Sequence, residues 1–245
     1  MSALLEVRGL RKAYGERLVL DDVSLSVAAG DVVCLIGSSG SGKSTLLRCL
    51  DLLEPVDDGT IHLDGVEITD PEVDLRAVRR RMGMVFQAYN LFPHLTILEN
   101  CTLAPRRAHG VGRREARDRA LDLLGRFGLA EHVDKHPDRL SGGQQQRAAV
   151  VRALCTQPTL LLLDEITAAL DPELVGEVLD IVRDLAAGGT TMVLATHEMA
   201  FAREVATTVC FLEGGRILDQ GPPDRIFTRP EQERTRAFLR RVLPS

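Results

Sequence analysis

The chain has 245 residues, 44% of them apolar and 27% charged, with a formal net charge of −5, which fits one large domain or a domain with a lobe. The negative balance gives no reason to expect bulk nucleic-acid binding, and 4% aromatics without tryptophan argue against a base-stacking platform. No apolar run approaches the roughly 20 residues that span a bilayer and the Met1 end carries no leader pattern, so any role at a membrane runs through a partner.

Short apolar runs alternate with helical patterns, which predicts an α/β fold with a largely parallel sheet. Strands are expected at Leu4–Val7, Val19–Leu25 and Val32–Ile36. Tyr14 falls between the first two, in a turn where its ring can stack on an adenine. The third strand runs into Gly37-Ser38-Ser39-Gly40-Ser41-Gly42-Lys43-Ser44-Thr45, which fits the phosphate-loop pattern G-x-x-x-x-G-K-[ST]. Leu46–Leu50 continues as a helix. A strand, a glycine loop and a helix N-terminus aim free amides and a positive dipole end at phosphates. Lys43 then reaches the β- and γ-phosphates, and the Ser44 hydroxyl ligates Mg²⁺.

Further strands are expected at Thr60–Leu63 and Met84–Phe86. Gln87 follows the latter, where its amide can touch Mg²⁺ or an attacking water. From residue 88 to 158 strand signals are few, and helix formers such as Arg113–Arg126 and Gln144–Cys155 dominate. This stretch reads as a helical lobe inserted into an α/β core made of residues 1–87 and 159–245. Within it, Ser141 and Gln144 have capping-box spacing, so Ser141 opens the second helix. Gly142 and Gly143 keep that helix start open to close approach, making a second anion site.

Leu160-Leu161-Leu162-Leu163 reads as a strand buried on both faces. It ends in Asp164 and Glu165, at the carboxyl end where α/β sheets place ligands. Asp164 is then a Mg²⁺ ligand and Glu165 polarises water for attack on the γ-phosphate. Asp171 and Pro172 start a helix whose Val175, Val178, Val182 and Leu185 form a core stripe. Met192–Ala195 is a strand ending in Thr196 and His197, whose ring faces the γ-phosphate if this strand lies parallel to the Asp164 strand. Val209–Leu212 and Arg216–Leu218 flank Gly214-Gly215 as a hairpin. The last helix, Glu231–Val242, interleaves Arg with Glu as a solvated face. The five cysteines include no C-x-x-C pair, and Cys34 and Cys210 lie in apolar runs as small core hydrophobes, which indicates a reducing, cytosolic compartment.

Taken in order, Tyr14, the phosphate loop, Gln87, Leu140-Ser141-Gly142-Gly143-Gln144, the acidic strand end, Ala168-Ala169-Leu170-Asp171 and His197 resemble the ATP-binding subunit of ABC transporters over essentially the full chain. The resemblance implies a P-loop NTPase, ABC-type ATPase core with a mostly parallel sheet, an antiparallel β portion and an inserted helical lobe. It implies ATP and Mg²⁺ as ligands, with ATP hydrolysed to ADP and phosphate. It also implies a head-to-tail homodimer or pseudo-dimer, in which Ser141, Gly142, Gly143 and Gln144 of one copy meet the γ-phosphate held by the other. Two transmembrane permease subunits and, indirectly, an extracytoplasmic solute-binding protein are the expected partners, at the cytoplasmic face of the membrane. Strings such as Asn90-Leu91-Phe92-Pro93-His94 and Thr196-His197-Glu198-Met199-Ala200 resemble importers of polar amino acids. A compatible solute such as ectoine, or a non-transport membrane complex, is the alternative. The chain departs from the family pattern at Ile166, where Pro is usual, and at Ala168, where Ser is common; neither position is a phosphate or metal ligand.

Overall fold

Residues 3–28 form a long antiparallel hairpin in the computed structural model, which describes residues 3–243; the Met1 end, read above for a leader, lies outside them. Strands β1 (Ala3–Tyr14) and β2 (Arg17–Ala28) each have 12 residues, well beyond the expected Leu4–Val7 and Val19–Leu25. The period-two pattern is interrupted at Gly9, which sits at φ 59° beside a register shift between Val7 and Leu10. That irregularity hides the distal half of β1 from a reading by alternation. Strands β3 (Val32–Ile36), β4 (Asp58–Leu63) and β5 (Val66–Glu67) follow. The hairpin, β4 and β5 make one antiparallel sheet in the order β2-β1-β4-β5. Gly59 is required there, because a Cβ would lie 2.5 Å from the Gly9 carbonyl oxygen.

Strand β3 belongs to a second sheet with β6 (Met82–Val85), β7 (Leu160–Asp164), β8 (Met192–Ala195), β9 (Thr208–Glu213) and β10 (Arg216–Gly221). Its order is β10-β9-β3-β8-β7-β6. All neighbours are parallel except β9 and β10, the hairpin around Gly214-Gly215. Both faces of this sheet are covered, which is why its strands read as continuous apolar runs. Leu161 and Leu163 face one apolar cluster, and Leu160 and Leu162 face the other.

Helices α1 (Lys43–Leu50) and α2 (Leu75–Arg80) precede β6. Between β6 and β7 lie α3 (Ile97–Ala108), α4 (Arg113–Arg126) and α5 (Gly142–Leu154), packed on one another. The α4 bounds are those expected. Helix α3 was not foreseen, although its Thr96–Glu99 capping box is a legible start signal; Pro105 within it argues locally against a helix. Helices α6 (Pro172–Ala187), α7 (Met199–Val205), α8 (Pro223–Thr228) and α9 (Glu233–Val242) complete the fold. In α6, Val178 and Val182 are buried and Val175 and Leu185 pack at the margin of the core. Asp171 occupies the N-cap position of α6 but its side chain makes no capping hydrogen bond, so Pro172 at the first turn is the start signal that acts. All five cysteines are buried and unpaired, and burial raises Cys49 and Cys210 to about 12, leaving them inert as thiols.

Asp51 ends α1 while only 7% exposed. Burial lifts its carboxyl from 3.8 to about 6, with Arg79 pulling weakly the other way. The folded pKa exceeds the unfolded one, so this group favours the fold below pH 4 and that contribution is lost as pH rises through 6. The Asp51→Asn variant is therefore expected to be more stable at pH 7 by on the order of 2–3 kcal/mol, with the difference vanishing near pH 4. Urea denaturation at the two pH values measures it.

Candidate active site

Four parallel strands end side by side, and each delivers a polar group to the same edge of the sheet. β3 leads into the glycine loop, β6 into Gln87, β7 into Asp164 and Glu165, and β8 into Thr196 and His197. The loop needs its glycines: Gly37, Gly40 and Gly42 have φ of 151°, 77° and 108°. A Cβ on Gly37 would lie 2.1 Å from the Leu212 carbonyl oxygen. Gly42 is the N-cap of α1 and supplies no side-chain cap, so the amides of the first turn stay available to an anion.

Lys43 is 3% exposed. Its ammonium donates to the carbonyls of Gly37 and Ser38 at 3.1 and 3.2 Å and lies 3.3 Å from Glu165 Oε1. The same carboxylate oxygen is 3.0 Å from His197 Nε2. Glu165 stands at φ 45°, an uncommon conformation for a non-glycine residue. Its N–H donates to Ala195 O at 3.0 Å, so β8 fixes the turn that re-aims the carboxylate. Ser44 Oγ donates to Asp164 Oδ1 at 2.7 Å. Burial pushes the Asp164 carboxyl above its ordinary value, opposed by the Ser44 hydrogen bond.

Two recesses that share Ser44 and Gln87 gather most of the residues singled out in the sequence. A cleft of about 480 Å³ is lined by Tyr14 at one end, by Ser39, Gly40 and Gly42 to Thr45 along the loop, and by Gln87 and Glu165 at the other end. A smaller recess of about 320 Å³ holds Ser44, Gln87 and Asp164 together with Arg48 and Asn90. Gly37 and Ser38 contribute carbonyls to Lys43 rather than lining, and Ser41 is buried in the loop with a hydroxyl that has no partner among the described residues. Hydroxyl, carboxylate and amide oxygens form a hard donor set that suits Mg²⁺. Arg17 and Val19 of β2 also line the cleft; Val19 opens the expected strand, whereas Arg17 lies before it, at the start of the longer strand observed.

Ser141, Gly142, Gly143 and Gln144 are not part of either recess. They form the N-terminus of α5, with the reciprocal capping box in place: Gln144 N donates to Ser141 Oγ at 3.3 Å and Ser141 N to Gln144 Oε1 at 3.0 Å. The two glycines have a packing reason within the chain as well. A Cβ on Gly142 would lie 2.8 Å from the Tyr89 hydroxyl, and one on Gly143 3.2 Å from Leu174 Cβ. Gly143 is buried, so the side of the helix start open to approach is narrower than two bare glycines suggest.

A glycine loop between a buried strand and a helix, with an acidic pair at the end of a parallel neighbour, defines a P-loop nucleoside triphosphatase. The ABC transporter family model matches residues 20–168, and the chain belongs to that family, whose ATP-binding members are ATPases. It is 47% identical to the glutamine transport ATP-binding protein GlnQ of Geobacillus stearothermophilus, over 96% of this chain and 97% of that protein. It is 48% identical to the L-cystine import ATP-binding protein TcyC of Bacillus subtilis (strain 168), over 98% of this chain and 99% of that one. Among solved structures, the dimeric post-hydrolysis state of the ATP-binding cassette MJ0796 bound to ADP and Pi superposes with a TM-score of 0.81 at 33% identity, covering 89% of this chain and 98% of that chain.

Proposed function

We propose that this chain is the ATP-hydrolysing subunit of an importer for a polar amino acid, acting at the cytoplasmic face of the membrane through two transmembrane permease subunits. The observation that carries the chemistry is the contact of Glu165 with both Lys43 and His197 at the mouth of the glycine loop. Lys43 and the loop amides bind the β- and γ-phosphates, and Tyr14 receives the adenine. Glu165 accepts a proton from the attacking water, and His197 holds that carboxylate and faces the γ-phosphate. Ser44, Asp164 and Gln87 would hold Mg²⁺, which when bound neutralises phosphate charge. Catalysis is then mostly positioning and charge stabilisation.

Ser141 to Gln144 lie outside the cleft of their own chain, which supports a head-to-tail pair in which each copy completes the other's nucleotide site. Closure of that pair on ATP, and reopening after phosphate leaves, supplies the stroke. A groove of about 770 Å³ runs between β6, α2 and α3, lined by the apolar Phe86, Phe92 and Leu103 together with Arg76, Arg80 and Arg107. It adjoins Gln87 and the 88–100 segment, and this supports it as the surface that takes the permease. The names of the relatives support an amino acid over a compatible solute such as ectoine, and transport over a non-transport complex.

The test is uptake into proteoliposomes holding this chain with its permease and solute-binding protein. ATP-dependent accumulation of a polar amino acid such as glutamine or cystine is expected. Accumulation of ectoine alone, or of no solute despite ATP turnover, overturns the reading.

A further inference from the structure

A lysine on a strand next to a cleft ordinarily stretches its ammonium into water. Lys12 does not: it is 6% exposed, two residues before Tyr14 near the end of β1. Buried cations need partners, and Lys12 has two. Its Nζ lies 3.5 Å from Asp57 Oδ1 and sits over the Tyr14 ring, 5.2 Å from the centroid, within the reach of a cation–π contact. Asp57 is itself tied to this strand. Its Oδ2 accepts from Ala13 N at 2.6 Å, and its N–H donates to Arg11 O at 2.9 Å. Tyr14 meanwhile is 44% exposed and lines the cleft with the glycine loop. Its hydroxyl end faces Glu54 and Thr45, while its ring face meets the Lys12 ammonium.

We infer that Lys12 is a positioning residue for the purine base: anchored by Asp57, its ammonium occupies one face of Tyr14 and pins the ring, so that the other face is presented to the base of the nucleotide. This rests on the proposed role of Tyr14 and extends it to a residue that touches no ligand. Pre-ordering one side chain and keeping a cation on its face together correspond to about a fivefold change in affinity. The effect belongs to binding of the base, remote from the γ-phosphate, and so falls on KM rather than kcat.

The experiment is calorimetric titration of the full chain with ATP and, separately, with inorganic tripolyphosphate, alongside steady-state ATPase kinetics. Lys12→Met keeps the apolar stem and removes the charge. It is expected to weaken ATP about fivefold and leave tripolyphosphate unchanged, while Lys12→Arg retains wild-type ATP affinity. In a Tyr14→Leu background, Lys12→Met is expected to add nothing. Equal weakening of ATP and tripolyphosphate, or unchanged ATP affinity in Lys12→Met while Tyr14→Leu does weaken it, overturns the inference alone. Unchanged ATP affinity in Tyr14→Leu overturns the stacking role of Tyr14 and the inference with it.

Discussion

The Glu165→Gln variant is expected to lose about 10²- to 10⁴-fold in kcat, the usual range for removing a positioned general base, while still binding ATP. Glutamine has the same shape, so contacts to Lys43 and His197 at 3.3 and 3.0 Å can be kept in part. It cannot take the proton of the attacking water. It also removes a negative charge from the place where the γ-phosphate arrives, so ATP should be held more tightly. Both effects act in one direction: the nucleotide stays intact and the closed pair accumulates. Phosphate release and gel filtration in the presence of ATP measure the two consequences. Full turnover in this variant would remove Glu165 from its assigned role.

Lys43→Ala is expected to weaken ATP binding roughly 10- to 100-fold, the range given by losing one desolvated, charge-assisted hydrogen bond to phosphate. The ammonium is almost wholly buried and is held by two loop carbonyls and by Glu165. It therefore needs little reorganisation to meet a phosphate, and the affinity it contributes is large for the same reason. Its removal also leaves Glu165 without its nearest cation, so the bound triphosphate would face an uncompensated carboxylate. Fluorescence titration with ATP checks the expectation, and a melting curve of the variant separates lost binding from lost folding. Undiminished ATP affinity in a folded variant would refute the phosphate-loop assignment.

Residues Gly37 to Thr45, the run Leu160 to Glu165 and the start of α5 at Ser141 were legible in the amino-acid order, because each is a local device. Backbone conformation, capping and continuous burial act over a few residues and leave marks that can be read from them. Helix α3 was equally local, with its capping box at Thr96 and Glu99, but only the helical character of the 88–158 lobe was read and not this element. The distal half of β1 was not legible, since the kink at Gly9, whose N–H donates to Ser24 Oγ of β2 at 2.9 Å, breaks the alternation that would reveal it. The meeting of Lys43, Glu165 and His197 was suspected from strand ends but decided by the sheet order β3-β8-β7-β6, which depends on pairings between segments far apart in the chain, Val32 with Met192, Met82 with Leu160 and Leu161 with Met192. Lys12 had no mark at all: one lysine in a charged strand looks like any other. Only the packed structure shows its ammonium withdrawn from water, because burial is a property of what surrounds a side chain and not of the residue itself.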